Sequence, residues 1–184
     1  MGVGKLKGGK FGGDPTKGSF DVWRQKGDYT CGAACLKMLE HWATGKSNDE
    51  EHWRTMADIG SKGITPQAMK KVLKQLPLES TEVKKSEVES WREGIRVPRI
   101  DETTVYLLSI DAYVPDGRNL GHWIILLDLF PSIENERGRS ERLLAWYADP
   151  MEPEEKDVPG KPVVWPWTSL LHAEIRGGFC LRKS

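Results

Sequence analysis

The chain has 184 residues, 38% of them hydrophobic and 29% charged, with 27 Lys and Arg against 27 Asp and Glu. That length suits one domain with a substantial core, and the balanced charge supplies no net field to recruit nucleic acid or an anionic membrane surface. No apolar run approaches the ~20 residues a membrane span needs, and the start lacks the apolar stretch of a secretion signal, so a reducing cytoplasm is the expected compartment.

Residues 1–19 hold seven glycines and four lysines with only Val3, Leu6 and Phe11 as apolar anchors, the composition of a flexible arm preceding a domain over 20–184. Gly2 invites a lipidation reading, but Leu6 stands where that motif requires Ser or Thr. Cys31 then opens a helix: Ala34, Cys35, Met38, Leu39 and Trp42 recur at three- and four-residue spacing, and Gly45 stops it. Ser47 or Asn48 is positioned to cap a second helix whose first turn collects Asp49, Glu50 and Glu51, with Gly60 and Gly63 after its end. Thr65 and Pro66 read as N-cap and first residue of a third, with Met69, Val72, Leu73 and Leu76 as its buried stripe before Pro77.

The second half changes character. Thr103–Tyr113, His122–Phe130 and Arg142–Ala148 are rich in aliphatic and aromatic residues and read as strands, with turns at Asp116-Gly117 and Gly138. Val163–Trp165 and Gly178–Arg182 are shorter candidates for edge or closing strands. Short connections favour antiparallel neighbours over helical crossovers, so the layout is α+β, helices first and sheet second.

The chemistry begins at Cys31. A cysteine at a helix N-terminus meets unpaired N–H groups and the positive end of the helix dipole, both of which favour thiolate over thiol. Three cysteines, an odd number, argue for a free thiol and against a disulfide framework. Cys31 and Cys35 with His41 or His52 lack the paired knuckles of a zinc site, and neither metal nor cofactor is expected. Of the four histidines, His122 opens a strand, where its ring faces a cleft while the residues after it anchor the core; His41 and His52 read as surface residues, and His172 is the rival base. An imidazole base needs an acceptor for its second ring nitrogen, and Asp149 ends the next strand; antiparallel pairing brings the start of one strand beside the end of the other. Gln25, six residues before Cys31, is placed to donate to an oxyanion together with the Cys31 backbone N–H. Among the eight tryptophans, Trp42, Trp123 and Trp146 read as core, and Trp165-Pro166-Trp167 as a cleft wall.

Gln25, Cys31-Gly32-Ala33-Ala34-Cys35-Leu36, Gly121-His122-Trp123 and Asp149-Pro150 resemble the signatures of papain-like cysteine peptidases, closest to the double-glycine leader peptidases of bacteriocin exporters and their freestanding relatives. Gly63-Ile64-Thr65-Pro66 resembles the second helical element of that branch. The resemblance implies a helical lobe packed on an antiparallel sheet, Cys31 as nucleophile, His122 as general acid and base, Asp149 orienting it and Gln25 in the oxyanion hole. It departs from the branch at Thr30, where an acid commonly stands, with Asp28 further back, and in having no transporter domain after it. A peptide or protein substrate is expected. A non-catalytic peptide-binding module and an acyltransferase using the same triad are the alternatives, with a toxin or effector domain as a third. Glycine pairs at 8-9, 12-13 and 177-178 raise self-processing as a further expectation.

Overall fold

A computed structural model of the protein describes residues 20–59, 63–113, 119–131, 143–153, 159–172 and 175–183. The expected arm and the turns at Asp116-Gly117 and Gly138 lie outside them. Among the described residues no helix is long and apolar enough to cross a membrane.

Helix α1 (Cys31–Thr44) follows the predicted stripe: its inward face is fully buried, and Gly45 ends it at φ 74°, a left-handed conformation suited to glycine. Helix α2 (Glu50–Met56) is capped by Asp49, whose side chain accepts the His52 N–H, and not by Ser47 or Asn48. Helix α3 (Pro66–Leu73) begins as predicted, with Thr65 accepting the Ala68 N–H and Pro66 supplying a preset φ in the first turn.

The sheet has six strands in the order β1-β6-β2-β3-β4-β5, every pairing antiparallel: β1 (Leu78–Val83), β2 (Thr104–Tyr113), β3 (Asn119–Pro131), β4 (Leu143–Ala148), β5 (Val163–Pro166) and β6 (Gly177–Lys183). Three features depart from the sequence reading. β1 was not foreseen: Leu-Glu-Ser-Thr-Glu-Val shows solvent most of its side chains, as an edge strand does, and so carries no apolar signal. β6, read as an edge or closing strand, runs through the middle of the sheet between β1 and β2. Finally, α4 (Lys85–Arg92) and α5 (Trp167–His172) are additional helices.

The sheet separates two apolar layers. On one face α1, α2 and α3 pack Leu36, Leu39, Trp53, Met69 and Leu73 against Leu107, Trp123, Ile125 and Phe179. On the other, Val88 and Trp91 of α4 and Trp167 and Leu170 of α5 cover Leu108, Ile124, Leu126 and Tyr147. Strand alternation explains the partition: Trp123, Ile125 and Leu127 of β3 serve the first layer and Ile124 and Leu126 the second, and the irregularity between Leu126 and Asp128 then turns Leu129 to the second. The helical lobe on a sheet is therefore present, with a second helical layer behind it.

Candidate active site

Cys31 is the first residue of α1 and is 5% exposed. The preceding Thr30 adopts the N-cap position without capping. Its hydroxyl turns back on the loop, donating to the Gly27 carbonyl and lying 3.0 Å from the Gly27 N–H as well. The Thr30 side chain therefore leaves the first N–H groups of the helix uncapped beside the sulfur. Gly32 follows because nothing larger fits: a Cβ there would collide with Ile64 Cγ2 and crowd Met69 and Trp123. The tight approach carries Cys31 onto the first turns of β3, where the Cys35 thiol donates to the Trp123 carbonyl at 3.3 Å and the Trp123 indole donates to the Ile64 carbonyl at 3.2 Å.

His122 and Asp149, 27 residues apart, meet at 2.7 Å through Nε2 and Oδ1. The pairing of Ile125 with Ala148 across β3 and β4 accounts for it, since the chain leaving β4 then passes the start of β3. The same Oδ1 accepts the Met151 N–H at 2.8 Å, which fixes the carboxylate in the turn after β4. Burial disfavours a charge on His122, but hydrogen bonds to Asp149 and to Cys31, with the negative charges of both, outweigh it and push the imidazole up to about 10. Sulfur, imidazole and carboxylate are thus in sequence.

Gln25 joins them through the backbone, its N–H bonded to the Pro150 carbonyl at 2.9 Å, next to Asp149. Its side-chain amide donates one hydrogen to the Gly27 carbonyl at 2.8 Å, and an amide carries two. The second hydrogen is available to a reacting oxygen. Gln25 Oε1 is buried and has no partner among the described residues, so the amide is held at one end.

The remaining histidines are elsewhere. His41 pairs with Asp21 at 3.4 Å and packs edge-on against Trp23, and His52 is exposed beside Trp53. His172 closes α5, whose buried residues belong to the layer opposite α1, and its side chain lies outside the described residues.

A cleft of about 550 Å³ opens at Cys31. Tyr29, Ile64, Trp123 and Phe179 form its aromatic and aliphatic walls, and Gly63, Gly121, Gly177 and Gly178 leave backbone bare along it. The sequence reading placed Trp165-Pro166-Trp167 there, and the structure does not. Trp165 is half-exposed on the edge strand β5 and Trp167 is buried beside Trp91, across the sheet. Trp146, expected in the core, is only partly buried. The pair at 177-178 lines the cleft wall: Gly177 has φ 146°, and a Cβ on Gly178 would overlap the Leu107 carbonyl. Composition could not reveal this, because the constraint comes from a neighbouring strand. Sequence reasoning also passed over Glu50, a buried acid at the start of α2 that reaches the loop before Cys31; its place in a run of acids resembled a solvated helix start.

Residues 19–105 match the model of the peptidase C39 family. No curated relative matches the sequence at a significant level. Among solved structures the fold is similar to the peptidase domain of Streptococcus ComA, a bifunctional ABC transporter involved in a quorum-sensing pathway, with 14% identity, a TM-score of 0.56 and coverage of 90% of this chain and 99% of that one. It is equally similar to a double-glycine-motif protease from an AMS/PCAT transporter in complex with the leader peptide, with 15% identity, a TM-score of 0.56 and coverage of 91% and 94%.

Proposed function

We propose that this chain, whose residues 19–105 match the model of the peptidase C39 family, is a cysteine-type peptidase that hydrolyses a peptide bond through Cys31, His122 and Asp149 with Gln25 as oxyanion donor. The observation that carries the assignment is the continuous contact from thiol to imidazole to carboxylate, with His122 bound to Asp149 at 2.7 Å and hydrogen-bonded to Cys31. The Cys31 thiolate attacks the carbonyl carbon. Negative charge moves to the carbonyl oxygen, which accepts from the Gln25 side chain and the Cys31 N–H. His122 gives its proton to the leaving amine as the C–N bond breaks, leaving a thioester. Water then attacks the thioester while His122 takes its proton; the acid departs and the thiolate–imidazolium pair is restored.

Glycine on the acyl side of the scissile bond is the preferred substrate feature. The cleft between Ile64, Trp123 and Phe179 offers bare backbone at four glycines and apolar walls close to the sulfur, a shape suited to an extended chain without side chains. The similarity to a double-glycine protease bound to a leader peptide supports the same reading. Three free cysteines suit a reducing compartment such as the cytoplasm, where the nucleophile persists as thiol or thiolate.

The test is direct. A peptide carrying Gly-Gly before a fluorogenic amide is cleaved by the wild type, and Cys31→Ala abolishes cleavage. Iodoacetamide at pH 6 labels Cys31 well before Cys180, whose acidity burial suppresses, or the fully buried Cys35. Equal, slow labelling of Cys31 and Cys180 with no cleavage would favour the non-catalytic peptide binder.

A further inference from the structure

Glu50 is 2% exposed, and carboxylates are almost never so deeply buried without a specific partner. Both of its oxygens face one group, the backbone N–H of Lys26, at 3.1 Å each. Lys26 directly follows Gln25, and neutral hydrogen bonds also hold the segment from Gln25 to Cys31. The Gln25 N–H meets Pro150, while Gly27 takes the Gln25 amide and the Thr30 hydroxyl on its carbonyl. Glu50 is therefore a carboxylate tether of this loop, reaching it from the next helix. A charge-assisted hydrogen bond is about twice as strong as a neutral one. Its place in the chain matters because the Gln25 amide is held at one end only, with no partner for Oε1 among the described residues, so the position of the donor depends on the backbone beneath it.

We propose that Glu50 is a positioning residue for the oxyanion hole, holding the backbone at Gln25–Lys26 so that the Gln25 amide stays at hydrogen-bonding distance from the developing oxyanion. The inference rests on the role assigned to Gln25 above. Glu50 does not line the cleft, so it acts on the barrier and not on substrate binding.

The experiment compares turnover of the Gly-Gly amide with iodoacetamide alkylation of Cys31. Alkylation expels iodide from carbon and forms no oxyanion, so it reads the thiolate without the donor. Glu50→Ala is expected to lower kcat roughly 10- to 100-fold, the penalty of displacing a catalytic donor, with KM and the alkylation rate unchanged. Glu50→Gln keeps an oxygen to accept the Lys26 N–H and stays within about threefold of wild type. The double variant Gln25→Ala/Glu50→Ala is no slower than Gln25→Ala alone, because the two act through one group. Where the alanine variant does not fold, Glu50→Asp, shorter by one methylene, shows the same separation of turnover from alkylation. Unchanged kcat, turnover and alkylation falling together, or multiplied effects in the double variant overturns the proposal. An unaffected Gln25→Ala enzyme identifies a different failure, that of the Gln25 assignment, and the tether loses its purpose with it.

Discussion

Asp149 does two things for His122 at once, accepting the ring hydrogen at 2.7 Å and placing negative charge beside a buried imidazole. The second effect makes a titration prediction. The basic limb of the kcat/KM profile should lie near the value of about 10 to which the pair and Cys31 push the ring. Asp149→Asn removes the charge while keeping a polar group, so the limb moves down toward the ordinary histidine range of about 6.5 and kcat falls. A pH–rate series on the two enzymes checks it, and an unmoved limb would show that another group titrates there. At this scale the sequence was highly legible. Cys31, His122, Asp149 and Gln25 were singled out from a loop-to-helix junction, a strand start and a strand end, which are local features, and the structure brings His122 and Asp149 to 2.7 Å. Glu50 was not, since its significance lies in the Lys26 N–H it faces, and no pattern along the chain announces a side chain bonded to backbone 24 residues away.

Helices α1 and α3 follow their apolar periodicity, and the β2–β3–β4 meander follows its aliphatic content. Elements stabilised by neighbours were harder to see. β1 exposes most of its side chains and exists because β6 pairs with it, and β6 passes through the sheet only because Gly178 lets the Leu107 backbone approach. Gly178→Ala therefore overpacks a central strand and should destabilise the fold by about 1–3 kcal/mol or more, read as a lower midpoint in urea. Trp123→Phe tests the junction of helix and sheet more gently. It keeps the stack on Phe179 but strips the Ile64 carbonyl of its indole donor, at a cost of about 1–3 kcal/mol in stability. Both changes lie at the cleft, so peptide turnover should decline alongside stability.

For the whole molecule, the perturbed imidazole couples folding to pH. The folded pKa of His122 lies above its unfolded value, so its contribution to stability is complete below about pH 6.5 and disappears as pH rises through about 10. Urea midpoints measured from pH 6 to pH 10.5 should fall across that window, and less steeply in Asp149→Asn. A slope unchanged by the substitution would assign the alkaline loss to other groups. The α+β class and the helical lobe were legible at this scale from the change in character near residue 100. The order of strands was not, because pairing between β6 and the earlier strands is a long-range choice that short connections do not dictate. That choice has a consequence during synthesis. Phe179 and the two glycines beside it form one bank of the cleft, and they emerge from the ribosome after the other described strands. A nascent chain carrying the thiol, the ring and the carboxylate but not yet β6 still has a gap between β1 and β2, so peptide cleavage is expected only after β6 has been added.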